Sequence, residues 1–355
     1  MTIKIKRSPN ENLMRDIINK IAVGPTKGKD LTNLEAYRAT KALLNDEIDE
    51  THAALFLIGL RMKRESIKEF AGILKALIEE TPQIDIDLPN LAYIAEPFDG
   101  YKRTTPVSHY IPAVLAACEV PTVIQGVHSV GPKFGLTPHQ TYAANNLPVN
   151  LSIEEASKPL LDPECGWTYL DQSISSPKLF KLGPFRDKIV KRTALTTLER
   201  VLMPIKAKQN QLALGFVHNE YPEIYGTMAN MAGFKKALFI RGLEGGVTPA
   251  LNKPLRTFQL KNKTLSKKQI DETPVDLMHL HSGTKTQSSI RLAHISTVIK
   301  QPKSAKFQML LASSALILSK AKGIPLNRAV ILAKVAMESG EAESRFSNFN
   351  QNSKT

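Results

Sequence analysis

The sequence predicts an α/β protein in which a small helical N-terminal domain precedes a larger domain of alternating strands and helices. Before residue 92, apolar residues recur at helical spacing, as in the predicted helix over Ser66–Glu80. Beyond that point, short apolar runs such as Leu212–Phe216 alternate with helical patterns such as Tyr221–Ala232. A length of 355 residues is sufficient for two domains and a sizeable core.

The N-terminal segment is predicted to form a bundle of helices. A short helix is expected over Asn10–Val23. Thr32 and Glu35 have the spacing of a capping box, so the next helix is expected to begin there. Thr51–Arg61 is apolar on nearly every side, which is typical of a helix at the centre of a bundle.

The larger domain is predicted from short elements in sequence order. The expected strands are Leu91–Ile94, Thr122–Gln125, Trp167–Leu170, Leu212–Phe216, Lys236–Arg241 and Thr257–Leu260. The expected helices are Ser108–Cys118, Pro138–Asn145, the basic amphipathic Phe185–Val201, Tyr221–Ala232, Lys303–Gly323 and Asn327–Ser339. Lys261–Val275 is polar and rich in lysine, so a loop is expected there. The polar tail Phe346–Thr355 is predicted to be disordered.

Composition excludes several classes of protein. Two cysteines, Cys118 and Cys165, cannot supply a disulfide framework or a cysteine-based zinc site. The first sixteen residues contain no apolar signal-peptide core. The longest apolar stretch, Met309–Leu318, is too short to span a bilayer. The closest histidine pair, His279 and His281, has no evident third ligand, so no metal site is expected. We therefore expect a cytoplasmic protein with no membrane partner.

The positive charge of the chain is concentrated in one region. The segment from Phe234 to Val335 holds 18 Lys and Arg residues and 4 Asp and Glu residues. Its net charge of +14 equals that of the whole chain. A surface that is basic only for solubility would more naturally be scattered along the sequence. The concentration favours an anionic partner or ligand.

The stretch from Phe98 to Thr137 predicts a phosphate site. Glycine, serine and lysine at junctions between strands and helices are a usual means of holding a phosphate group. Tyr101, beside two basic residues, is either a stacking platform for a base or a buried tyrosine with a satisfied hydroxyl. The candidate residues at these junctions are Asp99, Gly100, Lys102, Arg103, Ser108, Gly126, Lys133 and Gly135.

Two long segments resemble the anthranilate phosphoribosyltransferase family, which has the glycosyltransferase family 3 fold. They are DLTNLEAYRATKALLNDEIDETHAALFLIGLRMKRESIKEFAGILKAL and LLASSALILSKAKGIPLNRAVILAKVAMESGEA. The resemblance covers roughly residues 29–343. It implies a nucleoside phosphorylase/phosphoribosyltransferase-like fold, with a small helical domain over 1–92 joined by a returning helix near 185–204. It also implies an α/β domain with a central sheet over 93–184 and 205–345, followed by the tail 346–355.

The motifs that carry catalysis in that family are altered here. The glycine-rich GTGGD loop falls on EPFDG at residues 96–100, and of the KHGNR motif at residues 124–128 only Gly126 is retained. Thr248 and Pro249 stand where the family has a metal-binding Asp-Glu pair, and Glu244 nearby is compatible with a surface carboxylate. Arg186 matches the arginine that would meet the anthranilate carboxylate. The resemblance therefore argues against ordinary phosphoribosyl transfer, and we expect no catalytic residue, metal or cofactor.

Three further segments are similar to the nucleic-acid-binding, non-catalytic paralogues of the family, which are homodimers. They are RTALTTLERVLMP, HNEYPEIYG and GLEGG. The resemblance implies binding of DNA or RNA phosphates with little sequence specificity. The expected contacts are Lys102, Arg103, Lys133, Arg192, Arg200, Lys206, Lys208, Arg241, Lys253 and Arg256.

Two hypotheses stay open from the sequence. The alternative to nucleic-acid binding is a phosphoribosyltransferase with a rebuilt site and an altered acceptor, which would use phosphoribosyl diphosphate and magnesium. For assembly, helices of the small domain form the dimer interface in the family. The apolar excess around Leu55 and Ile58 therefore predicts a homodimer that pairs Leu34–Leu44 and Thr51–Met62.

Overall fold

The computed structural model describes residues 7–24, 26–249, 255–262, 264–270 and 295–350. The chain divides into two compact units. The helical unit comprises Met1–Pro82 and Ser176–Leu202, and the α/β unit comprises Gln83–Ser175 and Met203–Thr355.

In chain order, the helices are α1 (Pro9–Ile21), α2 (Asn33–Leu44), α3 (Glu50–Lys63), α4 (Ile67–Glu79), α5 (Ile111–Ala117), α6 (Pro138–Ala144), α7 (Ile153–Leu161), α8 (Gln172–Ser175), α9 (Pro177–Lys181), α10 (Gly183–Ile189), α11 (Ala194–Leu198), α12 (Tyr221–Met231), α13 (Ile295–Ile299), α14 (Ala305–Lys322), α15 (Leu326–Glu338) and α16 (Glu341–Asn348). The strands are β1 (Ile84–Asp85), β2 (Asn90–Ala95), β3 (Thr122–Gly126), β4 (Trp167–Asp171), β5 (Ile205–Lys206), β6 (Gln209–Phe216), β7 (Lys236–Arg241), β8 (Leu255–Lys261) and β9 (Thr264–Ile270).

Capping boxes set the starts of α2 and α4 in the helical unit. The predicted box is confirmed, since the Thr32 hydroxyl accepts a hydrogen bond from the Glu35 amide and the Glu35 carboxylate accepts one from the Thr32 amide. The Ser66 hydroxyl and Glu69 repeat this arrangement before α4. Each cap satisfies amides that a helix start leaves without partners, which is worth about 1 kcal/mol.

The prediction of one continuous basic helix over Phe185–Val201 is wrong. α10 ends at Ile189, where Val190 takes a left-handed conformation with a φ of 65°. Left-handed residues end helices because they turn the following amide away from the helix axis. The chain becomes helical again only at α11, so this segment is two short helices of the helical unit.

A seven-stranded mixed sheet forms the centre of the α/β unit, in the order β4-β3-β2-β6-β7-β8-β9. The strands from β4 to β7 are parallel neighbours, whereas β8 and β9 run antiparallel. β3 and β4 are buried at every position, as expected of parallel strands covered on both faces. The predicted fold class, a helical domain with an α/β domain around a central sheet, is confirmed.

The loop predicted over Lys261–Val275 is wrong for its described part. Residues 264–270 form β9, which pairs with β8 from Lys261↔Thr264 to Leu255↔Ile270. Asn262 has a positive φ of 50°, a conformation typical of tight hairpin turns. Lys267 and Lys268 therefore lie on an edge strand, where charged residues are usual. Residues 271–275 lie outside the described residues.

The tail predicted to be disordered over Phe346–Thr355 is partly ordered. Its first residues complete α16. The rings of Phe346 and Phe349 are buried, and their centroids lie 5.5 Å and 4.5 Å from that of Trp167. Burial of two aromatic rings outweighs the polar composition of the segment. Residues 351–355 lie outside the described residues.

Among the described residues, no single helix is long and apolar enough to cross a membrane. Of the described helices, only α14 and α15 taken together have the length and apolar composition of a span, and the chain bends by 120° between them.

Candidate functional site

Three loops of the α/β unit meet at the carboxyl ends of parallel strands. They are residues 96–107 after β2, 127–137 after β3 and 242–249 after β7, and we refer to them as the strand-end loops. This edge of a parallel sheet is where ligands usually bind in α/β proteins. The loops bring together the predicted residues Asp99, Gly100, Lys102, Arg103, Lys133 and Gly135, and Ser108 directly follows the first loop.

Backbone pairing holds the loops after β2 and β3 together. The Tyr101 amide donates to the Leu136 carbonyl over 3.0 Å, and the Leu136 amide donates back over 2.8 Å. A Cβ on Gly100, which has a φ of 71°, would lie 2.5 Å from the carbonyl of Gly135. A Cβ on Gly135 would lie 2.5 Å from the Tyr101 amide nitrogen. Both predicted glycines are therefore required for the close approach of the two loops.

The carboxylate of Glu244 fills a pocket made by backbone amides. It accepts hydrogen bonds from the amides of Lys102 over 3.1 Å, Arg103 over 2.8 Å and Thr104 over 3.0 Å. The Thr104 hydroxyl donates a fourth bond over 3.0 Å. Glu244 itself has a φ of 51°, a left-handed conformation that is uncommon for residues other than glycine. We call these three amides and the hydroxyl the amide pocket.

Cations surround the Glu244 carboxylate. Lys133 Nζ lies 3.8 Å from one carboxylate oxygen of Glu244 and 3.3 Å from the Asp99 carboxylate. Arg103 Nε lies 3.8 Å from the Glu244 carboxylate while its side chain remains 81% exposed. Burial acts to raise the pKa of Glu244, but the amides of Arg103 and Lys102 and the charge of Lys133 outweigh it, so the pKa is lowered. The carboxylate is therefore held in its ionised form.

The Glu244 side chain is only 3% exposed, so the interpretation of this residue as a surface carboxylate is wrong. Sequence reasoning missed its position because its amide partners lie about 140 residues earlier in the chain. Nothing in the sequence GLEGG indicates that the glutamate is buried in a left-handed conformation, because the surrounding glycines already predict a turn.

A second carboxylate, Glu96, closes the base of the loops. It accepts hydrogen bonds from the Tyr101 hydroxyl, from the Ser108 hydroxyl over 2.9 Å and from the Val247 amide over 3.2 Å. Tyr101 is 1% exposed, so its interpretation as a stacking platform is wrong and the buried alternative is correct. Glu96 stands at the first position of the family's glycine-rich loop, where it joins the loops after β2 and β7.

An Asp-His pair joins the end of β4 to the first turn of α6, and sequence reasoning missed it. His139 Nδ1 lies 2.7 Å from the Asp171 carboxylate, which also accepts from the Tyr169 hydroxyl over 2.7 Å. Burial acts to raise the pKa of Asp171, but these hydrogen bonds and one from Ser173 outweigh it and the pKa is lowered. Gly126, at the end of β3, allows the Tyr169 ring to approach within 3.2 Å of where a Cβ would lie.

Within the α/β unit, the described residues among the ten predicted nucleic-acid contacts lie at two opposite edges of the sheet. Within the α/β unit, Arg241 and Arg256 lie at the same edge of the sheet as the strand-end loops, since β8 runs antiparallel to β7. Lys206 and Lys208 precede β6 and therefore lie at the opposite edge, where Lys208 pairs with Asp87 over 2.7 Å. In the helical unit, Arg192 is exposed but Arg200 is only 7% exposed. Lys253 lies outside the described residues.

Comparisons with known proteins show what the chain is similar to. Residues 15–81 match the helical bundle domain of the glycosyl transferase family. Anthranilate phosphoribosyltransferase of Syntrophomonas wolfei is 25% identical over 320 residues, which are 89% of this chain and 92% of the relative. Over nearly its whole length the chain is therefore similar to anthranilate phosphoribosyltransferases.

Solved structures show the same similarity at the level of fold. Anthranilate phosphoribosyltransferase from Thermus thermophilus covers 97% of this chain and 99% of its own, with 17% identity and a TM-score of 0.76. The structure of the enzyme from Saccharomyces cerevisiae in complex with PRPP and Mg covers 97% of this chain and 98% of its own, with 15% identity and a TM-score of 0.79. These comparisons favour the transferase alternative over nucleic-acid binding, for which they offer no support.

The position of the family's metal-binding pair does not fit magnesium. The Thr248 side chain is 2% exposed and its hydroxyl has no partner in the described structure, and Pro249 has no side-chain oxygen. Magnesium requires several oxygen ligands of high charge. Within the described ranges, no group of three His, Cys, Asp or Glu side chains is arranged to hold a metal ion.

The retained family arginine is engaged in an ion pair of the helical unit. The two terminal nitrogens of Arg186 donate to the two carboxylate oxygens of Glu199 over 2.7 Å and 2.9 Å. Both side chains are buried. Such a bidentate pair is strong and geometrically specific, so Arg186 already has a carboxylate partner of its own.

Proposed function

We propose that the protein binds a phosphate-bearing ligand at the strand-end loops, with a phosphate group in the amide pocket in place of the Glu244 carboxylate. The observation that carries this proposal is the set of donors that converge on Glu244: three consecutive amides, one hydroxyl and Lys133. Consecutive amides of this kind are a recurrent phosphate-binding device.

Charge supports a phosphate over a neutral ligand. With Glu244 withdrawn, the loops would present the cations of Lys102, Arg103 and Lys133 against one adjacent carboxylate, the buried Asp99. A phosphate group would restore the balance and would offer more acceptor oxygens than a carboxylate. Cations beside backbone amides form short, charge-assisted hydrogen bonds to such oxygens.

Phosphoribosyl transfer is the first candidate activity. It is supported by the whole-chain similarity to anthranilate phosphoribosyltransferases. Because Thr248 and Pro249 do not fit a metal, any transfer by this chain would neutralise the ligand's charge with Lys102, Arg103 and Lys133. We therefore expect binding of phosphoribosyl diphosphate to be independent of magnesium.

Nucleic-acid binding is the second candidate. It is supported by the concentration of the chain's entire net charge between Phe234 and Val335. Arg241 and Arg256 extend the basic character of the strand-end loops along the same edge of the sheet. A phosphodiester backbone would then meet the amide pocket at one end of a longer basic surface.

Calorimetry with diphosphate tests the binding of phosphate in the amide pocket, which both candidate functions require. In Glu244→Gly, the side chain leaves the pocket and glycine tolerates the φ of 51°. We expect this variant to bind diphosphate at least tenfold more tightly than the parent protein, in line with a charge-assisted bond of about 1.5–3 kcal/mol. Glu220→Gly, on an exposed loop before α12, is the matched control and should leave affinity unchanged.

The two candidates separate in a second pair of assays. Product formation from phosphoribosyl diphosphate with anthranilate or a nucleobase, above a no-enzyme control, would establish transfer. Binding of labelled single- or double-stranded oligonucleotides without such turnover would establish the second candidate. If neither the parent protein nor Glu244→Gly binds diphosphate, phosphoribosyl diphosphate or oligonucleotide, the proposal is wrong.

A further inference from the structure

A cavity of about 660 Å³ lies in the α/β unit at the edge of the sheet opposite the strand-end loops. Its floor is formed by the amino-terminal residues of β6 and β7 and by the last residues of β8. The final turns of α14 and the first residue of α15 cover it. Its volume falls within the range of about 300–1,000 Å³ that is typical of small-molecule sites.

The walls of the cavity are mainly aliphatic. Ala213 and Leu238, paired on adjacent strands, line it on one side, and Leu316 and Ile317 line it from α14. All four side chains are buried in the fold. Such walls offer a bound molecule no hydrogen bond and favour an apolar body, which gains about 0.8 kcal/mol for each buried methylene.

The polar groups of the cavity are cations and amides. Lys236 is half-buried and Lys261 is exposed, and neither has an ion-pair partner in the part of the chain that the structure describes. Gln259 Nε2 is buried and has no hydrogen-bond acceptor among the described residues. A buried donor without a partner costs about 1–3 kcal/mol, so an acceptor at this position would be stabilising.

No aspartate or glutamate is among the described residues that line the cavity. One amide is already engaged, since Gln211 Nε2 donates to the Ala321 carbonyl at the end of α14 over 3.3 Å. The donors on the sheet side, Lys236, Lys261 and Gln259, come from neighbouring strands β7 and β8, and Lys320 lines the cavity from α14. They would meet an anionic group at the mouth of an apolar chamber.

We propose that this cavity is a binding site for an amphipathic anion, a molecule with one carboxylate head and an aliphatic or aromatic body. The head accepts hydrogen bonds from Gln259 and Lys236 at the ends of β8 and β7. The body packs on Ala213, Leu238 and Leu316. This site is separate from the strand-end loops and does not depend on the proposed function.

Calorimetric titration with straight-chain carboxylates tests the site. Hexanoate, octanoate and decanoate differ in the length of the aliphatic chain and carry the same charge. Decan-1-ol has the same chain length as decanoate but no charge. We expect affinity to rise about fourfold with each added methylene until the chamber is filled, from the free energy of burying one methylene. Decan-1-ol should bind at least tenfold more weakly than decanoate, because it cannot form the charge-assisted bonds.

Variants locate the binding. Lys236→Met keeps the aliphatic stem and should weaken decanoate about tenfold, while decan-1-ol is unaffected. Lys303→Met, on an exposed segment before α14, is the matched control and should change neither affinity. Leu316→Trp fills the chamber and should abolish binding of both ligands, with circular dichroism to confirm the fold.

The proposal is overturned if decanoate does not bind at millimolar concentration, or if Lys236→Met and Lys303→Met bind it equally. Equal affinity for decanoate and decan-1-ol would also overturn it, since the anionic head would then have no role.

Discussion

At the scale of single residues, Glu244 makes stability depend on pH. Its pKa is lowered in the folded state, so its contribution to the free energy of unfolding is present above the unfolded-state pKa of about 4.5 and is lost as pH falls through the folded pKa. Glu244→Gln removes this titration. We expect the variant to be less stable than the parent protein at pH 7, with a difference that shrinks towards pH 3.

Urea unfolding at pH 7, 5, 4 and 3 measures this prediction. The control is Glu220→Gln, an exposed glutamate on the loop before α12. A stability difference for Glu244→Gln that is the same at every pH would show that the amide pocket does not discriminate in favour of the ionised carboxylate.

The two cysteines give a second prediction for single residues. Burial raises the pKa of Cys118 to about 11 and that of Cys165 to about 12. Because the thiolate is the reactive form, both thiols should be unreactive in the folded protein at pH 8. Reaction with Ellman's reagent should release no thiol equivalent in buffer and two in urea. Rapid reaction of either cysteine without urea would contradict the burial of these residues.

The strand-end loops show which residues sequence alone can assign. Gly100, Lys133 and Gly135 were predicted because glycine and lysine at strand ends have few other roles, and the structure brings them together. Glu96 and Glu244 were not assigned because a carboxylate has many surface roles. Their partners are fixed only by pairing of loops that lie far apart in the sequence.

At the scale of elements, α16 provides a strong test of packing. Phe349 has no exposed surface, and its ring centroid lies 4.5 Å from that of Trp167. Phe349→Ala should destabilise the protein by about 3–5 kcal/mol, the usual cost of deleting a buried phenylalanine side chain. The exposed Val335→Ala on α15 is the control and should change stability by less than about 1 kcal/mol. Equal midpoints in urea for the two variants would show that the last helix is not part of the core.

Elements with a strong period or a cap were predicted from sequence, and elements that depend on distant packing were not. α4 and β7 were predicted within a residue or two, since a single apolar face or a short apolar run specifies each. β9 was missed because its lysine-rich strand is stabilised by pairing with β8 rather than by its own composition. α16 was missed for the same reason, since its two phenylalanines are effective only against Trp167.

At the scale of the whole molecule, we propose that the helical unit pairs two copies of the chain. Leu57 and Leu60, within the predicted interface helix, are buried inside the unit and give this proposal no support. Leu34, Leu55 and Met62 do support it, since they are 52%, 45% and 76% exposed. Light scattering at micromolar concentration should give twice the mass of 39.2 kDa. Leu55→Lys should give the monomer mass, whereas the exposed Val335→Lys should not, and a monomeric parent protein would contradict the proposal.

Salt dependence decides whether the basic edge of the α/β unit binds nucleic acid. If phosphates are bound mainly by displacement of counterions, the logarithm of the binding constant falls linearly with the logarithm of salt concentration. The slope is about −0.7 per contact for single strands and about −0.9 for duplexes. Arg103→Ala and Arg241→Ala, at the strand-end edge, should each flatten the slope by one contact and weaken all base sequences alike. Lys208→Ala, at the opposite edge, should leave the slope unchanged, because its ammonium group already pairs with Asp87. Equal effects of replacing Lys208 and Arg103 would place the contacts elsewhere, and binding that salt does not weaken would leave phosphoribosyl transfer as the remaining candidate.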